Sequence, residues 1–169
     1  MVPRISLIIP FLLSVFSFLY GQKITMVPPV GHTAQITAVD VSRDGKIILT
    51  SSVDKTLILW DYFSGHEIVK LSGAEYGMTS CSFAPNAKFV ASAGWDKKIR
   101  IWSLDSLSDI ISWEAHPGGV NQIKILPDSK RIASVGKDGN MCIWTALNGS
   151  LEKRIKTSNV ASNSLDVSV

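Results

Sequence analysis

The sequence predicts an all-β chain built from four-stranded antiparallel sheets that recur every 42 residues. Three observations carry that expectation. First, Trp60, Trp102 and Trp144 stand 42 residues apart, and Asp54, Asp96 and Asp138, then Thr50, Ser92 and Ser134, keep the same spacing without a gap. Second, each period holds four short apolar runs separated by turn formers. Third, the apolar residues show no helical periodicity. A fixed period of this length marks stacked units, each burying its faces against its neighbours.

Composition narrows the function classes. The chain has 169 residues, of which 46% are hydrophobic and 18% charged, with a formal net charge of +3. That is material for one ordered domain and excludes a disordered tail. The charge is too mild to argue for nucleic acid as a partner. Two cysteines and three histidines exclude a disulfide-dense scaffold and a four-thiolate zinc site.

The first element is not part of the fold. Residues 1–21 place Arg4 before an uncharged apolar run interrupted by Pro10, and Gly21 supplies a small residue at its end. The run is shorter than the roughly 20 residues a membrane span requires. It reads as a cleaved signal peptide over 1–21, with an uncleaved membrane anchor as the alternative. The mature chain is then secreted or periplasmic, with no membrane insertion once the signal is removed. Cys81 and Cys142 fall at unrelated positions of different units, so no disulfide is indicated.

The remaining elements follow in order. Residues 36–42, 78–84 and 120–126 alternate partially and read as the first strand of each unit. Turn-rich stretches SRDGK, APNAK and PDSK come next. IILTSS, FVASAG and IASVG form second strands, and the three lattice aspartates sit in the tight turn after them. TLILW, KIRIW and MCIW make third strands; HEIVKL, DIISWE and LEKRIK make a more polar fourth. By alignment within the lattice, Trp113 and Cys81 are core residues, and His66 lies in an outer strand.

With Gly31-His32, Asp44-Gly45 and Trp60-Asp61 in place, the chain resembles the WD-repeat β-propeller family over residues 22–169. The resemblance divides the region into an outer strand at 24–31, blade one at 32–73, blade two at 74–115, blade three at 116–157 and the start of a fourth blade at 158–169. Blades two and three depart from the pattern. Ala74 stands where a histidine is expected, and Ser103 and Thr145 replace the aspartate after tryptophan.

The resemblance implies a buried hydrogen-bonded set in each blade. Blade one would use His32, Thr50, Asp54 and Trp60. Blade three would use His116, Ser134, Asp138 and Trp144. Blade two keeps Ser92, Asp96 and Trp102, with water or backbone expected to stand in for the missing imidazole. Ser, His and Asp are also the parts of a hydrolase triad. Here they recur in step and lack a strand–turn–helix nucleophile elbow, so a structural role is expected and no catalytic residue is assigned. His66 has no second histidine at ligand spacing, and the chain has no phosphate-binding glycine loop. No cofactor and no metal site are expected.

Propellers close into rings of about 4–8 blades, so three blades form an incomplete ring. The remaining blades would come from a longer chain or from other copies. One face of the ring would display Lys55, Tyr76, Trp95, Lys97 and Lys137. Trp and Tyr are good interface anchors, and the lysines favour an acidic partner. Asn148-Gly149-Ser150 is a glycosylation sequon on the opposite face, relevant only in a glycosylating host. The expected function is a non-enzymatic scaffold that binds a protein or peptide with a propeller face. The alternative is the N-terminal sensing or docking arm of a larger exported protein, with an effector such as a peptidase-like domain downstream.

Overall fold

The computed structural model describes residues 31–107 and 109–167. The signal peptide expected at 1–21, and all but the last residue of the outer strand expected at 24–31, lie outside the described residues. Every regular element among the described residues is a strand, and no helix there is long and apolar enough to cross a membrane.

Twelve strands of six residues each are arranged as three antiparallel sheets. Blade one holds β1 (Ile36–Val41), β2 (Ile47–Ser52), β3 (Thr56–Asp61) and β4 (Glu67–Ser72), paired in that order. Blade two repeats it with β5 (Met78–Phe83), β6 (Phe89–Gly94), β7 (Lys98–Ser103) and β8 (Asp109–Glu114). Blade three follows with β9 (Val120–Ile125), β10 (Arg131–Gly136), β11 (Asn140–Thr145) and β12 (Leu151–Lys156). Each strand begins 42 residues after its counterpart, as the tryptophan spacing requires. His66 lies just before β4, not inside it, because the chain is still leaving the β3–β4 turn at that point.

Irregularities repeat too. The β1–β2 register skips at Thr37, the β5–β6 register at Thr79 and the β9–β10 register at Asn121. A bulge re-aims a side chain out of the regular pleat. Thr79 uses that freedom to donate its hydroxyl to Val120 O at 2.7 Å, and Asn121 donates Nδ2 to Ser162 O at 2.9 Å. In blades two and three the bulged residue therefore ties the blade to the segment that follows it, whereas Thr37 bonds Ser51 within its own blade.

The sheets stack face to face. β5 packs on β1 and β2, and β9 packs on β5 and β6. One core lies between blades one and two, with Leu49, Leu57 and Leu59 facing Met78, Phe83 and Trp102. A second lies between blades two and three, with Ala91, Ile99 and Ile101 facing Val120, Ile123 and Trp144. The second strands β2, β6 and β10 are buried over most of their length, and β5, which packs on sheets to either side, is buried as well.

The three sheets do not close into a ring. Among the described residues no blade stands in front of β1, and its side chains show the consequence. Val39 is 64% exposed, whereas Cys81 and Ile123 at the same lattice position are 5% and 1% exposed. Ile36 and Val41 are exposed beside it, while their counterparts in β5 and β9 are buried. Cys81 is a core residue as expected from its lattice position. Val39 is not, because none of the described residues covers it.

At the other end, residues 158–167 form no ladder but reproduce contacts that join the blades. Leu165 N donates to Gln122 Oε1 at 2.8 Å, as Ile123 N donates to Ser80 Oγ at 3.2 Å one period earlier. Gly139 carries a left-handed φ of 68°, and a β-carbon there would collide with the carbonyls of Ser158 and Val160. Glycine is needed at that turn on both counts.

Candidate functional site

The polar cluster inside each blade is built from four elements. In blade one, His32 Nδ1 lies 3.0 Å from Asp54 Oδ2, and His32 Nε2 lies 2.7 Å from Thr50 Oγ1. Trp60 Nε1 donates to the same hydroxyl at 2.8 Å. A carboxylate only accepts, which puts the imidazole proton on Nδ1 and leaves Nε2 to accept from the hydroxyl. Blade three has the same geometry. His116 Nδ1 stands 2.8 Å from Asp138 Oδ1, His116 Nε2 is 2.8 Å from Ser134 Oγ, and Trp144 Nε1 donates to Ser134 at 2.8 Å. Every polar atom in these chains is satisfied inside an otherwise apolar sheet.

The aspartates are held ionised. Burial pushes the Asp54 carboxyl up, but hydrogen bonds from Thr56, from the Thr33 N–H and from His32 outweigh it and bring its pKa down to about 2. Asp138 is lowered in the same way, with burial opposed by Asn140 and His116.

Blade two resolves the missing histidine differently from the sequence expectation. Trp102 Nε1 still donates to Ser92 Oγ at 2.8 Å. Asp96 is not completed by water or backbone alone. Arg100 reaches its Oδ2 at 2.7 Å, and both side chains are buried. The longer backbone bonds from Glu75 N at 3.4 Å and Lys98 N at 3.3 Å only supplement this pair. Arg100 occupies the lattice position of Ile58 and Cys142, in the middle of a buried strand. A lone arginine in that register was the available signal, since a buried cation requires a partner.

The hydroxyls of these clusters are used inside the blades. Each hydroxyl is engaged by an indole and a ring nitrogen or, in blade two, by the indole, and Thr50 and Ser134 are buried in the sheet. Among the described residues no group of three or more His, Cys, Asp or Glu side chains could hold a metal ion. Cys81 and Cys142 are free thiols, and burial pushes Cys81 up to about 12, which leaves it unreactive.

The tips of the β2–β3, β6–β7 and β10–β11 turns form the surface that the sequence singled out. Lys55, Tyr76, Trp95, Lys97 and Lys137 are all exposed. Val53, Trp95 and Lys137 share one lattice position at these tips. Each tip lies against a glycine in the loop before the next first strand or in its own blade. Trp95 N donates to Gly77 O at 3.1 Å, and Lys137 N donates to Gly119 O at 3.2 Å. A β-carbon at Gly77 would stand 3.1 Å from both the Trp95 ring and Val53. The indole of Trp95 is therefore seated against this backbone, and the residue as a whole is 48% exposed. Lys55 and Lys97 hold left-handed backbone at φ of 72° and 70°, which throws their side chains outward from the turn. Sequence reasoning missed the Lys98–Glu75 pair at 2.9 Å, which ties the loop carrying Tyr76 to β7.

Trp113 is only partly buried against the second core. Its ring lies 6.1 Å from that of Trp144, and its indole N–H has no hydrogen-bond partner. It packs across the blade boundary onto Gly149, where a β-carbon would overlap the ring.

Comparison with known proteins gives the same architecture. The family model described as "WD domain, G-beta repeat" matches residues 22–61, 64–103 and 108–145. None of the curated proteins compared matches the chain. Among solved structures, one described as "Structure of U3-55K" is similar with a TM-score of 0.73 and 20% identity, over 78% of this chain and 42% of that one. "Crystal structure of RRP9 WD40 repeats" is similar with a TM-score of 0.73 and 20% identity, over 78% of this chain and 41% of that one. The chain thus spans about two fifths of the length of these two solved chains. With the family model matching well over half of its residues, and with the tryptophan of every blade bonded to the expected hydroxyl, the chain belongs to the WD-repeat family of β-propeller proteins.

Proposed function

We propose that this chain holds a protein or peptide partner on the face that carries Trp95. WD repeats suggest an interaction scaffold, and their propellers are typically non-enzymatic. The observation that carries the finer reading is the half-seated indole of Trp95, exposed beside Lys97 and on the same face as Lys55, Tyr76 and Lys137. A rigidly held tryptophan offers a large contact area at little entropic cost. The surrounding lysines favour an acidic partner and accelerate its encounter more than they tighten the complex.

The proposal includes an exported location, supported by Arg4 and the apolar run that follows it. It also includes further blades that complete a ring. The uncovered β1 face and the blade-like contacts of residues 162–165 support that part. The test is a calorimetric titration of a partner isolated by cross-linking, against the parent chain and Trp95→Ala. We expect at least a tenfold loss of affinity with an unchanged melting temperature. Equal affinity removes this face from the interaction.

A further inference from the structure

A cleft of about 410 Å³ opens between blades two and three, at the end of the sheets opposite Trp95. Phe89, Ile101 and Ile111 of blade two form one wall, and Lys130, Ala146 and Leu147 of blade three form the other. Its size is that of a ligand site, and its walls are mostly apolar.

The repeat explains why the space exists. Tyr62, Leu104 and Ala146 share one lattice position, and their backbones are held alike. Their N–H groups donate to Lys46 O, Lys88 O and Lys130 O at 2.9, 3.1 and 2.7 Å. Between blades one and two, Leu104 packs on the core that Ile47 and Val69 also cover. Ile47 and Val69 are the counterparts of Phe89 and Ile111. Between blades two and three the corresponding side chain is the methyl group of Ala146, so the plug is missing. Leu147 beside it is 85% exposed, which extends the apolar surface outward, and Lys130 stands exposed at the rim.

We infer that this cleft is a second binding site, which takes a leucine-sized apolar side chain presented by a protein partner, with a carboxylate of the same partner meeting Lys130. The chain itself shows which group fits, because Leu104 fills the equivalent space one blade earlier. The site is separate from the Trp95 face, so either one stands if the other fails.

The experiment uses the full chain with labelled isoleucine methyl groups. It is titrated with an acetylated, amidated Glu-Asp-Leu-Glu peptide, with the same peptide carrying alanine for leucine, and with 1-anilinonaphthalene-8-sulfonate. We expect the methyl signals of Ile101 and Ile111 to move with the leucine peptide and to stay still with the alanine peptide. The Ile36 signal on the open β1 face should not follow them. Ala146→Leu, which copies Leu104, should weaken the peptide at least tenfold, and the surface variant Lys130→Glu should weaken it severalfold. Leu104→Ala should open a second site, read as a new movement of Ile47. Unmoved Ile101 and Ile111 signals, unchanged affinity in both Ala146→Leu and Lys130→Glu, or binding of the aryl sulfonate alone would overturn the inference.

Discussion

Arg100 and Asp96 show how one substitution reshapes a repeat. Ala74 removes an imidazole, and the arginine at the position of Ile58 and Cys142 supplies the missing donor from another direction. Removing one partner of a buried ion pair leaves an uncompensated charge, which costs about 3–5 kcal/mol. Arg100→Ile should therefore lower stability by that amount in denaturant titrations. Adding Ala74→His to the same chain should recover most of the loss, because it restores the arrangement of blades one and three. In blade three, Asp138→Ala strands the His116 Nδ1 proton and should cost about 1–3 kcal/mol. Equal unfolding midpoints of mutant and parent would contradict the bonded chain.

The same carboxylates give a pH dependence with a definite sign. Asp54 has its pKa lowered from 3.8 to about 2, so the unfolded chain takes up its proton first as pH falls. Its contribution is complete above the unfolded value and is lost as pH drops from about 4 to about 2. Asp54→Asn should lower stability at neutral pH and flatten that part of the acid limb. A mutant whose acid limb is as steep as the parent's would contradict this.

At the scale of the element, the strands were legible because turn chemistry and apolar runs repeat in one frame. The turns SRDGK, APNAK and PDSK end the first strands at Val41, Phe83 and Ile125, close to where the sequence places them. Burial was less legible, because it depends on the neighbouring blade. Val39 and Ile123 look equivalent in sequence, yet one faces solvent and the other faces β5 and β6. Ile123→Ala should cost about 2–5 kcal/mol, the range for a truncated core side chain. Val39→Ala should change stability by no more than about 0.5 kcal/mol. Similar losses at both positions would mean that β1 is covered in solution. The Arg100 replacement left only a lone arginine in the lattice as its trace, and the Ala146 cleft was not read from the sequence. Each is a missing side chain in one blade, at Ala74 or at Ala146, answered or left unanswered by residues brought close only by folding.

At the scale of the molecule, two features organise the account. The stacked sheets set Trp95 and the lysines on one end and the Ala146 cleft, at the edge of the second core, on the other. The tryptophans, aspartates and hydroxyls recurring every 42 residues hold the sheets in register, and that claim is open to one direct measurement. Hydrogen exchange of the five indole N–H groups reports on it residue by residue. The account predicts slow exchange at Trp60, Trp102 and Trp144, whose N–H groups are bonded to Thr50, Ser92 and Ser134, and fast exchange at the exposed Trp95. Exchange of Trp60, Trp102 and Trp144 as fast as that of Trp95 would contradict it.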